Sequence, residues 1–499
     1  MPAAMTIPEY SSRKLIAFAA VALVVCSAPV FETRFLNDMD FYALVADKLL
    51  SGRLLYRDAM DTKPPLVFLH YALIFKLFGL DTLAAVKVVT MAWLGASALV
   101  MRALRRALSP TYPMPALATL LFVLASFSGW GEDFLSSNTE ILANLFILVG
   151  VWLLVLRDFA YRPICLLAGG CSIGMACLYR YQSAAALVAY AGTIGLCRQV
   201  LDGKLTRLLL VVAGAVAPSL LVVAYYARIG ALAELRLLLA YQAHYACDAD
   251  ALSLGMLLGR ALTALAGLWP LALLAGCQIA FILKRPAPAS RTEVFQVLFA
   301  VSSVSTFFVG KRFFPHYFIQ AIPALVLLAT ERLESSCRNR AEPRSWFAAH
   351  ALAIQVALAV AFTAINGIYY WTRKAPPVHP SLVAFVEANS TPADEVLLWI
   401  WQPQLLFETK RVFASRLLVN EILIGRMDPL EPRRRREGLA ELWPAYLRDL
   451  EAAPPKLIFD APPGRSVWPF EAFPPLAAFL TRYQTCQVID DVCVYLRRD

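Results

Sequence analysis

Apolar runs of about twenty residues recur along the chain, separated by short polar connections rich in arginine. In helical form a run of that length crosses a bilayer. Eleven such segments are predicted. The first seven lie near 14–31, 82–101, 114–130, 140–156, 163–179, 183–197 and 208–226. The others lie near 262–283 and 294–309, from the interruption at 311–317 to about 330, and near 346–371. A longer connection, 227–250, reads as a loop. Leu66–Gly79 is apolar but too short for an independent span, and reads as a partly re-entrant or interfacial helix. After Pro376-Pro377 the pattern changes. Ser381–Ala388 reads as a short amphipathic helix, Glu395–Trp401 and Lys456–Asp460 as strands, and Cys486–Leu496 as a hairpin. The expected fold class is a polytopic α-helical membrane protein over 1–375, followed by a small α/β or α+β domain over 376–499.

Composition sharpens that reading. Of 499 residues 59% are hydrophobic and only 16% charged, too few charges for an ordinary soluble chain of this length. The net charge of +10 is not a nucleic-acid signal, because the basic residues sit in short connections between spans. Arg13/Lys14, Arg102–Arg106, Arg157–Arg162, Arg198–Arg207, Lys284–Arg291 and Arg332–Arg344 fall on one side, the cytoplasm by the positive-inside rule. The acidic connections 32–64 and 131–140 then face outward, and so does the tail. Arg180, Lys311 and Arg312 face outward against the rule, which marks them as candidate functional groups. The first apolar run lacks a clear small-x-small cleavage site and is expected to be an uncleaved span. Cys26, Cys165, Cys171, Cys177, Cys197 and Cys277 sit in apolar runs as small packing residues, and no zinc spacing is present. Cys486 and Cys493 flank a hairpin turn, and outside the cytoplasm such a pair can be oxidised.

The most polar stretch of the first hundred residues runs from Asn37 to Leu66. Asp38 and Asp40 open it. Phe41, Leu44, Val45 and Leu49 then recur at helical spacing, and Gly52 is a stop signal. That pattern predicts an amphipathic helix lying in the membrane interface. Each acid can simply cap the helix. At the edge of a low-dielectric site, either can instead take a proton from an attacking hydroxyl. Asp61 and Glu32 compete for that role within the catalytic outer loop, 32–81. Lys63 stands before Pro64-Pro65, which hold it extended at a helix start. An ammonium at a helix N-terminus suits a phosphate, although a lysine here can also merely snorkel to the interface. Lys311, Arg312 and His316 form a possible second cationic clamp. Glu140 begins the fourth span, either as a solvated dipole partner or as a second acid shaping an acceptor or metal site. Arg433–Arg436 reads as a solvated helix face, or as a contact for anionic head groups.

Several of these segments resemble one family: Asn37-Asp38-Met39-Asp40-Phe41-Tyr42, Tyr56-Arg57-Asp58, Asp61-Thr62-Lys63-Pro64-Pro65, Asn138-Thr139-Glu140 and Pro315-His316-Tyr317. They look like the bacterial branch of the GT-C membrane glycosyltransferases, of the protein-mannosyltransferase and aminoarabinose-transferase type. The likeness covers about 1–375 and is strongest over 37–80. It implies a polyprenyl phosphate monosaccharide as donor, used at the periplasmic face of the inner membrane. It implies a catalytic aspartate in the first outer loop, which Asp38 matches by its distance to Tyr42. In the family an acid commonly follows that aspartate, whereas here Met39 follows and Asp40 comes one place later. The choice between Asp38 and Asp40 therefore stays open, with Asp38 preferred. Lys63 matches the lysine that grips the donor phosphate, and Glu140 matches an acid in the second outer loop. Arg57, Arg180, Lys311 and Arg312 fall among cations facing the donor, more loosely, and Tyr42, His316 and Tyr317 among substrate contacts.

The chemistry so implied is single displacement. Asp38 takes the acceptor proton, Lys63 meets the charge growing on the lipid phosphate, and C1 inverts. The acceptor is a membrane lipid such as lipid A, an envelope glycan or a protein. No cofactor is required, although Asp38 with Glu140 can hold a divalent metal. A transporter or flippase of lipid-linked sugars is the main rival. Against it stand the lack of an internal repeat with paired broken helices and the scarcity of acids in mid-span. A non-catalytic assembly partner is a third reading, opposed by the presence of both acids and Lys63.

Overall fold

The computed structural model describes residues 12–32, 38–79, 83–110, 114–129, 134, 136–197, 203–247, 254–311, 313–338, 343–372, 378–418, 420–424, 440–462 and 468–498. They belong to two compact units. One comprises 1–36, 83–225 and 252–373; the other comprises 37–82, 226–251 and 374–499. The last of these breaks falls between 373 and 374. The segments 37–82 and 226–251 belong with the tail.

The first unit is a helical membrane body. A helix lies at each of the eleven predicted segments. Among the described residues six are long and apolar enough to cross a membrane: Ser12–Phe31, Leu83–Leu108, Thr139–Arg157, Lys204–Arg228, Arg291–Val309 and His350–Thr372. A seventh is added if Leu254–Ala266 and Trp269–Lys284, bent by 89° at their junction, make one span. The other helices are shorter for local reasons. Pro115 and Pro163 start theirs late, Arg180 is extended between Pro163–Cys177 and Ala185–Leu196, and a 3-10 segment Pro315–Ala321 precedes Ile322–Arg338. Leu205, Leu209, Leu220 and Leu221 of Lys204–Arg228 are exposed, as a lipid-facing side requires.

Close packing in this unit depends on absent side chains. A Cβ on Gly170 or Gly174 would collide with the carbonyl of Val211 or Ala215, and one on Gly214 with that of Leu167. Helices Pro163–Cys177 and Lys204–Arg228 therefore meet backbone to backbone, the small-xxx-small geometry favoured where no hydrophobic effect drives association. Arg105, wholly buried, donates to Glu334 Oε2 at 2.8 Å and lies 3.6 Å from Glu331, which ties Leu83–Leu108 to Ile322–Arg338.

The second unit is built on a five-stranded mixed sheet. Its strands are β1 (Glu395–Leu398), β2 (Val412–Phe413), β3 (Leu457–Asp460), β4 (Gln487–Ile489) and β5 (Val492–Leu496). The order is β2-β1-β3-β5-β4, with β1 parallel to β2 and β3, and β5 antiparallel to β3 and β4. A disulfide joins Cys486 to Cys493 across the terminal hairpin. The loop predicted at 227–250 is largely helical, over Leu232–Cys247.

Asp38–Leu50 forms the predicted helix and ends at Gly52, which adopts φ 81°. Gly52 N–H donates to Leu49 O and Arg53 N–H to Lys48 O, the paired closure that a left-handed glycine permits. Its surroundings differ from the interfacial expectation. Met39 through Ala46 are all buried, so both faces are covered. The tail supplies part of the cover. Phe41 meets Trp401 at 4.6 Å between ring centroids, and Met60 N–H donates to Arg416 O at 2.7 Å. Lys48 Nζ donates to Ser415 O at 2.6 Å and Asp58 O at 3.2 Å, and stands 3.7 Å from the Phe413 ring centroid. Burial pushes the Lys48 ammonium down to about 8, with Glu395 opposing.

Candidate active site

Two clusters of polar groups stand out, one in each unit. In the second unit the helix Asp38–Leu50 presents Asp38 in its first turn, where the helix dipole favours an acid. Tyr42, one turn on, shares that face and donates its hydroxyl to Asp38 Oδ2 at 3.0 Å. Lys63 Nζ lies 3.2 Å from the same oxygen. Both charged side chains keep a solvent-facing edge, Lys63 at 27% and Asp38 at 24% exposure. Asp40, by contrast, has no exposure at all.

The segment that delivers Lys63 is tightly specified. Asp61 Oδ1 accepts from Lys63 N–H at 2.9 Å, and Tyr56 donates its hydroxyl to Lys63 O at 2.9 Å. Tyr56 is held with φ 67° and pairs with Ala59 through the backbone. Pro64 is extended and Pro65 opens the helix Pro65–Phe78, so Lys63 stands at a helix N-terminus as predicted. Burial pushes the Asp61 carboxyl above its ordinary range, with the Lys63 charge opposing. Arg57 is half exposed and pairs with Asp58 at 3.1 Å. Tyr42 packs edge-on against Phe68 and Tyr71, both on Pro65–Phe78, so the two helices share an aromatic contact behind the acid.

The second cluster lies within the membrane unit. Glu140 begins the helix Thr139–Phe159 and is 1% exposed. Its Oε1 pairs with the Arg180 guanidinium, its Oε2 accepts from Thr139 Oγ at 2.9 Å, and His316 Nε2 lies 3.8 Å away. Arg180 also covers the Tyr317 ring at 4.2 Å from its centroid, and His316 stacks on Phe314. Glu140, Arg180, His316 and Tyr317, from three separate stretches of sequence, are thus brought together. Arg260 joins from Leu254–Ala266, 4.8 Å above the Phe314 ring. The sequence reading missed it; its signal is a lone arginine in an otherwise apolar helix. Asn144, also missed, donates to Ile319 O at 3.0 Å.

Arg312, Arg433–Arg436 and the side chains of Lys311 and Glu32 lie outside the described residues. Among the described residues no group of three or more His, Cys, Asp or Glu is placed to share a metal ion.

No family model matches the chain, and no curated protein matches it in sequence. Solved structures do match in three dimensions. The chain is similar to ArnT from Cupriavidus metallidurans, solved bound to undecaprenyl phosphate, with TM-score 0.58 and 15% identity, covering 96% of this chain and 97% of that one. The apo form of the same protein gives TM-score 0.57 at 14% identity with the same coverage. The archaeal oligosaccharyltransferase AglB from Archaeoglobus fulgidus, solved with an inhibitory peptide and a dolichol-phosphate, gives TM-score 0.52 at 12% identity, covering 97% of this chain and 74% of that one. Identities this low carry the fold alone: the chain shares its fold with ArnT and AglB.

Proposed function

We propose that the chain transfers a single sugar from a polyprenyl phosphate donor to a hydroxyl acceptor on the extracytoplasmic face of the inner membrane, with inversion at C1. The observation that carries the reading is the Asp38–Lys63 pair at 3.2 Å, reached from solvent and tied to Tyr42. In the resting protein the ammonium is neutralised by the carboxylate. A donor phosphate brings negative charge of its own and takes over Lys63, which frees Asp38 to accept a proton. The acceptor oxygen attacks C1, its proton passes to Asp38, and the C1–O bond breaks. The electron pair leaves on the lipid phosphate, where Lys63 stabilises it. The reading requires no metal, because a monophosphate leaving group carries charge that one ammonium can meet.

Accessibility favours Asp38 over fully buried Asp40 as the base. Asp61 orients the Lys63 backbone, a supporting role. In the membrane unit the Glu140–Arg180 pair positions His316 and Tyr317 as candidate substrate contacts. The disulfide supports a tail outside the cytoplasm, since such bonds persist in oxidising compartments. An odd number of spans with a cytoplasmic N-terminus, as expected from the sequence, puts the tail on that same side. The lipid phosphates bound by ArnT and AglB support a lipid-linked donor.

The test is transfer of radiolabelled sugar from a synthetic polyprenyl phosphate by the purified protein. Asp38→Asn should abolish transfer and still bind undecaprenyl phosphate. Lys63→Ala should raise the donor KM. Near-normal turnover by Asp38→Asn would remove Asp38 as the base. Absence of transfer by the native protein, with sugar-lipid translocation in vesicles, would favour the flippase.

A further inference from the structure

A cavity of about 990 Å³ lies in the membrane unit, bounded by three connections that the sequence places in the cytoplasm. Arg102 and Arg106 reach it from the end of Leu83–Leu108, and Arg157 from the end of Thr139–Phe159. Ser290 and Thr292, at the start of Arg291–Ser305, contribute hydroxyls. Leu99, Trp152 and Leu156 make an apolar wall on the side leading into the membrane body.

The charge here is not compensated as it is next door. Arg105 is committed to Glu334 and Glu331, and Arg285 to Glu293. No described residue forms an ion pair with Arg102, Arg106 or Arg157, and none of the described lining residues is acidic. The Arg102 Nε is buried without a hydrogen-bond partner among the described residues. Three guanidinium groups around one cavity match the oxygens of a phosphodiester, for which arginine offers planar paired donors. The apolar wall matches the start of an acyl chain. The volume lies at the upper end of ordinary ligand sites, which accommodates a head group with its glycerol. A basic pocket between helices on the cytoplasmic side is a recognised setting for anionic lipid head groups.

We propose that this cavity binds an anionic phospholipid of the inner leaflet, its phosphodiester held by Arg102, Arg106 and Arg157 and its first acyl carbons lying against Trp152 and Leu156. The site is distinct from Asp38 and Lys63 in sequence and in unit, and its occupancy is read without any transfer reaction.

The test uses the full chain in detergent, with native mass spectrometry and titration by short-chain phosphatidylglycerol, phosphatidylcholine and inorganic phosphate. Phosphatidylglycerol should bind at one site at least tenfold more tightly than phosphatidylcholine. Inorganic phosphate at millimolar concentration should not displace it. The triple variant R102Q/R106Q/R157Q should weaken phosphatidylglycerol binding at least tenfold. The control K14Q/R162Q/K284Q removes three cations from the same predicted face but outside the cavity, and should bind as the native chain does. Equal affinity for the two lipids overturns the proposal, as does an unchanged triple variant. Full displacement by inorganic phosphate overturns it in favour of a free-anion site. If the triple variant aggregates, the comparison of lipids on the native chain still decides.

Discussion

Tyr42 shows how much one hydroxyl carries at the proposed base. Its hydrogen bond reaches the same Asp38 oxygen that Lys63 approaches, so the carboxylate keeps an oriented donor when Lys63 turns to a phosphate. A hydrogen bond to a charged acceptor contributes about 1.5–3 kcal/mol. Tyr42→Phe should therefore slow transfer roughly tenfold or more while leaving donor binding unchanged, as separate kcat and binding measurements would report. Asp460, on β3, offers a pH test in the soluble unit. Burial pushes its carboxyl up to about 6, against hydrogen bonds from Phe470 and Ala461 that favour the charged form. The folded state then holds this proton at pH values where the unfolded chain has released it. Asp460 thus contributes stability below about pH 4, and that contribution is lost as pH rises through about 6. The loss is about 2 kcal/mol between pH 4 and 7 at this group, and unfolding curves of Asp460→Asn should lack that slope. Asp38, Lys63, Glu140 and Arg180 were legible because charge is conspicuous in an apolar chain. Burial is not visible in that way: nothing in Asn-Asp-Met-Asp announces that Asp40 is enclosed while its neighbour two places earlier keeps an open edge.

Among elements, the helices that read most clearly were those whose apolar runs are unbroken, such as Leu83–Leu108 and Thr139–Phe159. Four of the five strands were legible too, as short apolar runs at Glu395–Leu398, Leu457–Asp460 and the terminal hairpin, while Val412–Phe413, only two residues long, was not. What hydropathy does not register is where small residues let two helices touch. Gly170 and Gly174 sit one turn apart in Pro163–Cys177 and face the backbone of Lys204–Arg228. Gly174→Val should force those helices apart and destabilise the membrane unit by about 1–3 kcal/mol, read as a lower melting temperature in detergent. Gly195→Ala is the control: open space surrounds that position, and the alanine should be neutral or slightly stabilising. The helix Asp38–Leu50 teaches the converse. Its apolar face was legible at Phe41, Leu44, Val45 and Leu49, yet Trp401 against Phe41 and Ser415 against Lys48 come from far along the chain, and no local pattern announces them.

At the scale of the whole molecule, the fold class followed from the spacing of apolar runs, while the grouping into units did not. Residues 37–82, 226–251 and 374–499 are three distant stretches of sequence that share one compact unit. The core that Trp399, Leu417, Tyr446 and Phe470 build includes Met60, more than 330 residues earlier in the chain. A tail on the oxidising side should hold its hairpin cysteines as a disulfide. Thiol titration under denaturing, non-reducing conditions should then gain two thiols upon reduction, and a chain with both already free would contradict an extracytoplasmic tail.

The hold that Ser415 has on Lys48 also sets a schedule. The ribosome must add 367 residues between the lysine and the carbonyl that receives it. At about 5–20 residues per second that interval is roughly 20–70 s. Throughout it the acid-bearing helix lacks the cover that Trp401 and Ser415 supply, so an early segment of the chain is completed only by a late one. A chain stopped short of residue 399 should carry every residue of the proposed chemistry and still fail to transfer sugar from a radiolabelled polyprenyl phosphate donor.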